Sequence, residues 1–131
     1  MSNLKRSEYI KYRLEKADET FEVAELLVKN EKWNSAINRL YYSAYYAISA
    51  LLVQADLNTK THSGVKTQFF LNYVKTGIIK IELGRVYSDL FDWRQKADYG
   101  DFSDFTEEDV GSILNPTKVL INDIKKEIRL E

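Results

Sequence analysis

Apolar residues recur at helical spacing along almost the whole chain. Ile10, Leu14, Ala17, Phe21, Ala24 and Val28 follow one another at steps of three and four, forming one stripe of an amphipathic helix. The pattern predicts that this first helix starts after Ser7, has Glu8 in its first turn and stops near Asn30. A second helix is predicted from about Trp33 to Ala55, and the polar run DLNTKTHSG then reads as a loop. Ser63 is placed to cap a third, shorter helix carrying Val65, Phe69, Phe70, Tyr73 and Val74, with Gly77 as its left-handed stop. A fourth is predicted from about Ile79 to Ala97, followed by the turn-rich connector DYGDFSDF. Thr106 and Asp109 make a capping-box pattern before the last stripe, Val110, Ile113, Thr117, Leu120, Ile124 and Ile128. Pro116 lies inside that stripe and predicts a kink near Ser112 to Asn115, because the stripe keeps its phase across it. No segment alternates as a strand does. The expected fold is all-α: one domain over residues 1–131, an antiparallel up-and-down bundle of four long helices plus one short helix.

The second helix lacks an ordinary wet face. With Arg39 at zero and 100° per residue, Ile37, Leu40, Tyr41, Ala44, Ile48, Leu51 and Leu52 fall between about 100° and 220°. The opposite side holds Arg39, Tyr42, Ser43, Tyr46, Ala50 and Val53, which is only weakly polar. Such a helix is buried on more than one side. Either a neighbouring helix covers the second face, or a partner chain does, most simply in a two-fold homodimer.

Composition narrows the classes. The chain has 131 residues, of which 44% are hydrophobic and 30% charged, as in an ordinary soluble globular domain. It has no cysteine, so disulfides and thiolate metal sites are excluded. No spacing of histidines and acids suggests a metal or cofactor, and none is expected. The charged start MSNLKRSEYIKYRLEKADETF has no signal-peptide core, and no run approaches the roughly 18 apolar residues of a membrane span. A cytoplasmic location without membrane contact is the expectation. A net charge of −1 argues against broad binding to nucleic-acid backbones but leaves room for a local basic pocket.

The fourth helix supplies the candidate chemistry. Leu83, Tyr87, Leu90, Phe91, Ala97 and Asp98 all lie within about 60° of Arg94 on an ideal helix. Arg94 therefore continues an apolar stripe, and a buried arginine needs a partner. The partner is either internal, with Asp98 or a carbonyl, or an outside anion such as phosphate. Tyr99 is about 140° round from Arg94 and shares a site with it only if the helix ends first, for which Gly100 offers a stop. Asp101 follows in the connector. His62 is the sole histidine, and with Ser63 it reads most simply as the start of the third helix.

The stretches AINRLYYSAYYA and KTHSGV…RQKADYGDF, in this order and on an all-helical background, resemble the HEPN superfamily, specifically its small stand-alone prokaryotic members. The resemblance covers nearly the whole chain. It implies an up-and-down helical bundle, commonly dimeric. Many such proteins are metal-independent endoribonucleases, and many are toxins encoded beside a minimal nucleotidyltransferase antitoxin. The family motif is Arg, four to six residues, then His. Arg94 matches the arginine, but Tyr99 stands in the histidine's place, and a looser alignment from Arg39 also ends in a tyrosine, Tyr46. Tyrosine, with a pKa of about 10, is a poor base at neutral pH but a good hydrogen-bond donor and stacking surface. By resemblance Tyr99 is also the position that a partner nucleotidyltransferase modifies in some members. The expectation is a toxin–antitoxin-like binding protein with a degenerate ribonuclease motif. It would hold a nucleotide, RNA or a nucleotidyltransferase at Arg94, Asp98, Tyr99 and Asp101, with Arg39, Tyr42 and Tyr46 contributing. The alternatives are an active endoribonuclease using Arg94 with His62 or Tyr99, and a dimerisation module without a small ligand.

Overall fold

The computed structural model describes residues 2–57, 59–100 and 104–130. Its helices are α1 (Asn3–Lys29), α2 (Trp33–Gln54), α3 (His62–Phe69), α4 (Ile81–Tyr99) and α5 (Glu107–Glu127). A π-helical turn, Phe70–Val74, extends α3. The described residues form no strand, and the all-α bundle of four long helices and one short one is as the periodicity predicted. No described helix is long and apolar enough to cross a membrane.

Element ends follow local chemistry. α1 begins at Asn3, about one turn before the expected start, because the Ser2 side chain caps it by accepting from the Lys5 N–H. That first turn is exposed, so it leaves no apolar signal. The cap of α3 is Thr61 and not Ser63: its hydroxyl oxygen accepts from the Gly64 N–H at 2.9 Å, which makes His62 the first helical residue. Gly77, at φ 82°, turns the chain so that Ile79 re-enters the core. α4 lies two residues later than expected at both ends. The Thr106–Asp109 capping box forms in both directions, and α5 continues past Pro116 with its stripe in phase.

α2 is the central element, touched by α1, α3, α4 and α5. Its predicted core stripe is buried throughout, and each fully buried Ile or Leu contributes about 1.5–3 kcal/mol. Ala36, Ser43, Ala47 and Ala50 are also fully buried. Small residues let another backbone approach closely, and α1 packs along α2 more extensively than any other helix does. Neighbouring helices thus cover part of the second face. Arg39, Tyr42, Tyr46 and Val53 remain half-buried on it.

Candidate functional site

Two buried tyrosines organise the site. Tyr41 of α2 and Tyr87 of α4 are fully buried and stack with centroids 5.7 Å apart. A buried hydroxyl needs a partner. The Tyr87 hydroxyl donates to that of Tyr41 at 3.5 Å, and the Tyr41 hydroxyl in turn lies 2.7 Å from His62 Nδ1. Burial pushes the Tyr41 phenol up to about 12, against the opposing pull of the Tyr87 hydrogen bond and the Arg94 charge. Burial also raises the Tyr87 phenol far above its ordinary range. Both hydroxyls therefore keep their protons at neutral pH.

Arg94 lies on this pair. Its guanidinium sits 4.8 Å over the Tyr41 ring and 5.9 Å from that of Tyr42. Nε is buried without a hydrogen-bond partner, and no described residue gives the side chain an acceptor or a carboxylate. The Arg94–Asp98 ion pair, one of the partners the sequence offered, is absent among the described residues. Asp98 instead accepts from Asn38 Nδ2 with both oxygens, at 3.2 and 2.9 Å. Arginine one turn before an acid is the weaker helical order, and α2 offers Asp98 a donor across the interface.

His62 and Arg94 thus converge on one ring, although 32 positions separate them in sequence (94 − 62). The His62 ring also lies tilted against Tyr45 at 4.6 Å and meets Tyr42 edge-on at 5.9 Å. Burial, then the Arg94 charge, holds its imidazole below the usual histidine range. Arg39 also reaches Tyr42. Its guanidinium is 5.1 Å from that ring, and its Nε donates to Asn38 Oδ1 at 2.9 Å. Two guanidiniums without carboxylate partners among the described residues therefore lie near one half-buried tyrosine.

The other predicted residues sit elsewhere. α4 does not end before Tyr99, so Tyr99 stays round the helix from Arg94. It is 79% exposed and lines a shallow depression with Asp92, Gln95, Lys96 and Gly100. Tyr46 lies under Arg13, at 5.6 Å. Asp101 lies outside the described residues. Sequence reasoning passed over Tyr41, Tyr45 and Tyr87 because helical phase assigned Tyr41 and Tyr87 to the core. The signal was there: a tyrosine in an aliphatic stripe calls for a hydroxyl partner. No group of three or more histidines and acids among the described residues could hold a metal.

An all-helical domain with an arginine, a histidine and a cluster of tyrosines between its central helix and two neighbours is the class defined so far. The chain belongs to the HEPN domain family, whose pattern matches residues 10–128. It is similar to a Thermotoga maritima protein named UPF0332 protein, 38% identical over 121 residues covering 92% of each chain. Two Methanocaldococcus jannaschii proteins, each carrying the name "Putative toxin", are also similar. One is 34% identical over 122 residues, covering 93% of this chain and 90% of its own. The other is 33% identical over 113 residues, covering 86% and 77%.

Proposed function

We propose that this HEPN protein is a toxin-like RNA-binding protein that seats a backbone phosphate between Arg94 and Arg39, on the ring of Tyr42. The carrying observation is the pair of half-buried guanidiniums stacked on that ring with no carboxylate among the described residues. Planar guanidiniums bind phosphate through paired, charge-assisted hydrogen bonds, and the rings restrict where they point. His62 supplies a further donor. Tyr41 accepts from Tyr87, and in this reading its own hydroxyl donates to His62 Nδ1. In that bonding pattern Nε2 carries the imidazole proton and donates to a ligand. The toxin names of two relatives agree with this reading.

Anisotropy of labelled single-stranded RNA tests it. Arg94→Ala and Arg39→Ala should each weaken binding about tenfold or more, and each should flatten the slope of log K against log salt by ~0.7. Wild-type affinity in both variants would overturn the proposal.

A second reading, metal-independent RNA cleavage, draws on the convergence of Arg94 and His62 on Tyr41. It needs the other imidazole tautomer, with Nδ1–H donating to Tyr41 and Nε2 free as the base. RNA incubated with the protein and with His62→Ala separates the readings, since only cleavage yields products that the variant loses. The family resemblance adds a homodimer and a nucleotidyltransferase antitoxin, both open to mass measurement in solution, alone and with the candidate partner.

A further inference from the structure

A cavity of about 260 Å³ opens beside this site, lined in part by Tyr9 and Arg13 of α1, Tyr45 and Ser49 of α2, and Thr59. Arg13 is held in place by Tyr9, whose hydroxyl accepts from Nε at 3.0 Å and from one terminal nitrogen. Its guanidinium lies over the rings of Tyr9 and Tyr46, at 5.0 and 5.6 Å. Among the described residues no carboxylate pairs with it, and its other terminal nitrogen has no acceptor.

The rings of α2 connect this cavity to the first site. Tyr45 lines the cavity and lies tilted against His62. Tyr46, beneath Arg13, is 6.2 Å from Tyr42, the ring that Arg39 and Arg94 both approach. A row of tyrosines therefore runs from one guanidinium pair to a third guanidinium. The four-residue step from Tyr42 to Tyr46 is ~6 Å along the axis, the scale of one nucleotide step. Cations alternating with aromatic faces suit a single strand, whose phosphates take the cations and whose unstacked bases take the rings. A duplex hides its base faces and has no use for such a row.

We propose that the Arg13 cavity is a second nucleotide subsite. Arg13 takes the next phosphate, Tyr46 takes the base between, and the ligand is single-stranded RNA of at least two nucleotides. This rests on the reading of Arg94 and Arg39 as the first phosphate site. The test uses the full chain with uridine 5′-monophosphate, tetrauridylate and a short RNA duplex. Tetrauridylate should bind at least about tenfold more tightly than the mononucleotide. Arg13→Gln and Ser49→Glu should each remove most of that margin and leave mononucleotide binding intact, with melting temperatures near wild type. Arg94→Ala should lose both ligands. If both cavity variants bind tetrauridylate like wild type while Arg94→Ala does not, the subsite falls and the first site stands. If the wild type binds neither ligand, the first site falls and the subsite with it. Duplex bound as tightly as tetrauridylate would overturn the single-strand assignment. A change of mass in solution on Ser49→Glu, with RNA binding untouched, would assign the cavity to contact between copies and overturn the proposal.

Discussion

Arg94→Met separates a side chain kept for a ligand from one kept for the fold. Methionine preserves length and apolar contact while removing the charge and every donor. Two effects oppose each other in the ligand-free protein. The cation–π contacts over Tyr41 and Tyr42 are worth about 1–2 kcal/mol, part of which a thioether on the same rings restores. Against this, the buried Nε–H has no acceptor, and an unmade buried hydrogen bond costs about 1–3 kcal/mol. Relief of that unmade bond outweighs the loss of cation–π contact. The variant should gain about 1 kcal/mol, or ~3–4 °C in melting temperature. The same substitution should weaken RNA binding about tenfold or more, because it removes the charge-assisted donors. Thermal and urea unfolding by circular dichroism give the first quantity, and anisotropy the second. A loss of stability beyond about 1.5 kcal/mol would refute the reasoning, since Arg94 would then be part of the fold and not a group held back for an anion.

Four further substitutions test the site and the packing of the helices. His62 is held below its unfolded pKa of about 6.5, so the unfolded chain takes up the proton first; the stability it confers is complete above that pH and is lost as pH falls below it. Wild type should lose stability relative to His62→Asn as pH falls below about 6.5, and parallel curves would deny the burial of the ring. A Cβ at Gly84 would meet Val74 Cγ1 at 2.9 Å and Cγ2 at 3.1 Å, so Gly84→Ala should destabilise by about 1 kcal/mol in urea unfolding. Gly111→Ala, with nothing within 4 Å, should instead stabilise α5 by about 0.5–1 kcal/mol. Tyr99→Phe should leave both stability and RNA affinity unchanged, since that ring is exposed and apart from Arg94; a tenfold loss of RNA binding would put Tyr99 back in the site.

The bundle was legible because burial in a helix writes a period into the sequence. The stripes of α1, α2 and α5 point inward as their spacing required. The misplaced boundaries lie where no such period exists. Ser2 and Thr61 set two helix starts through single side-chain hydrogen bonds, in stretches that carry almost no apolar residue. Capping is local chemistry, and several Ser and Thr residues near one start compete for the role.

The site was legible only where it shared the phase of one helix. Arg94 was singled out because a charge in an apolar stripe is an anomaly that one helix reveals by itself. Its surroundings come from three helices, and no single-helix period carries that information. Asp98 shares the face of Arg94, yet α2 places Asn38 opposite it and takes both its oxygens. Tyr99 is near in sequence and remote round the helix, because α4 runs through it before reaching Gly100. His62, far away in sequence, arrives at Tyr41 because α3 begins against α2. The chemistry follows from that packing. Where the protonated Tyr41 phenol donates to Nδ1, Nε2 carries the imidazole proton and is a donor; where Nδ1–H donates to Tyr41, Nε2 is left as a base. The direction of that one hydrogen bond therefore separates the proposed binding role of His62 from the proposed general-base role. Tyr41→Phe keeps the ring and releases the imidazole, but it also strips the buried Tyr87 hydroxyl of its acceptor, so it should lower stability by about 1–3 kcal/mol in urea unfolding.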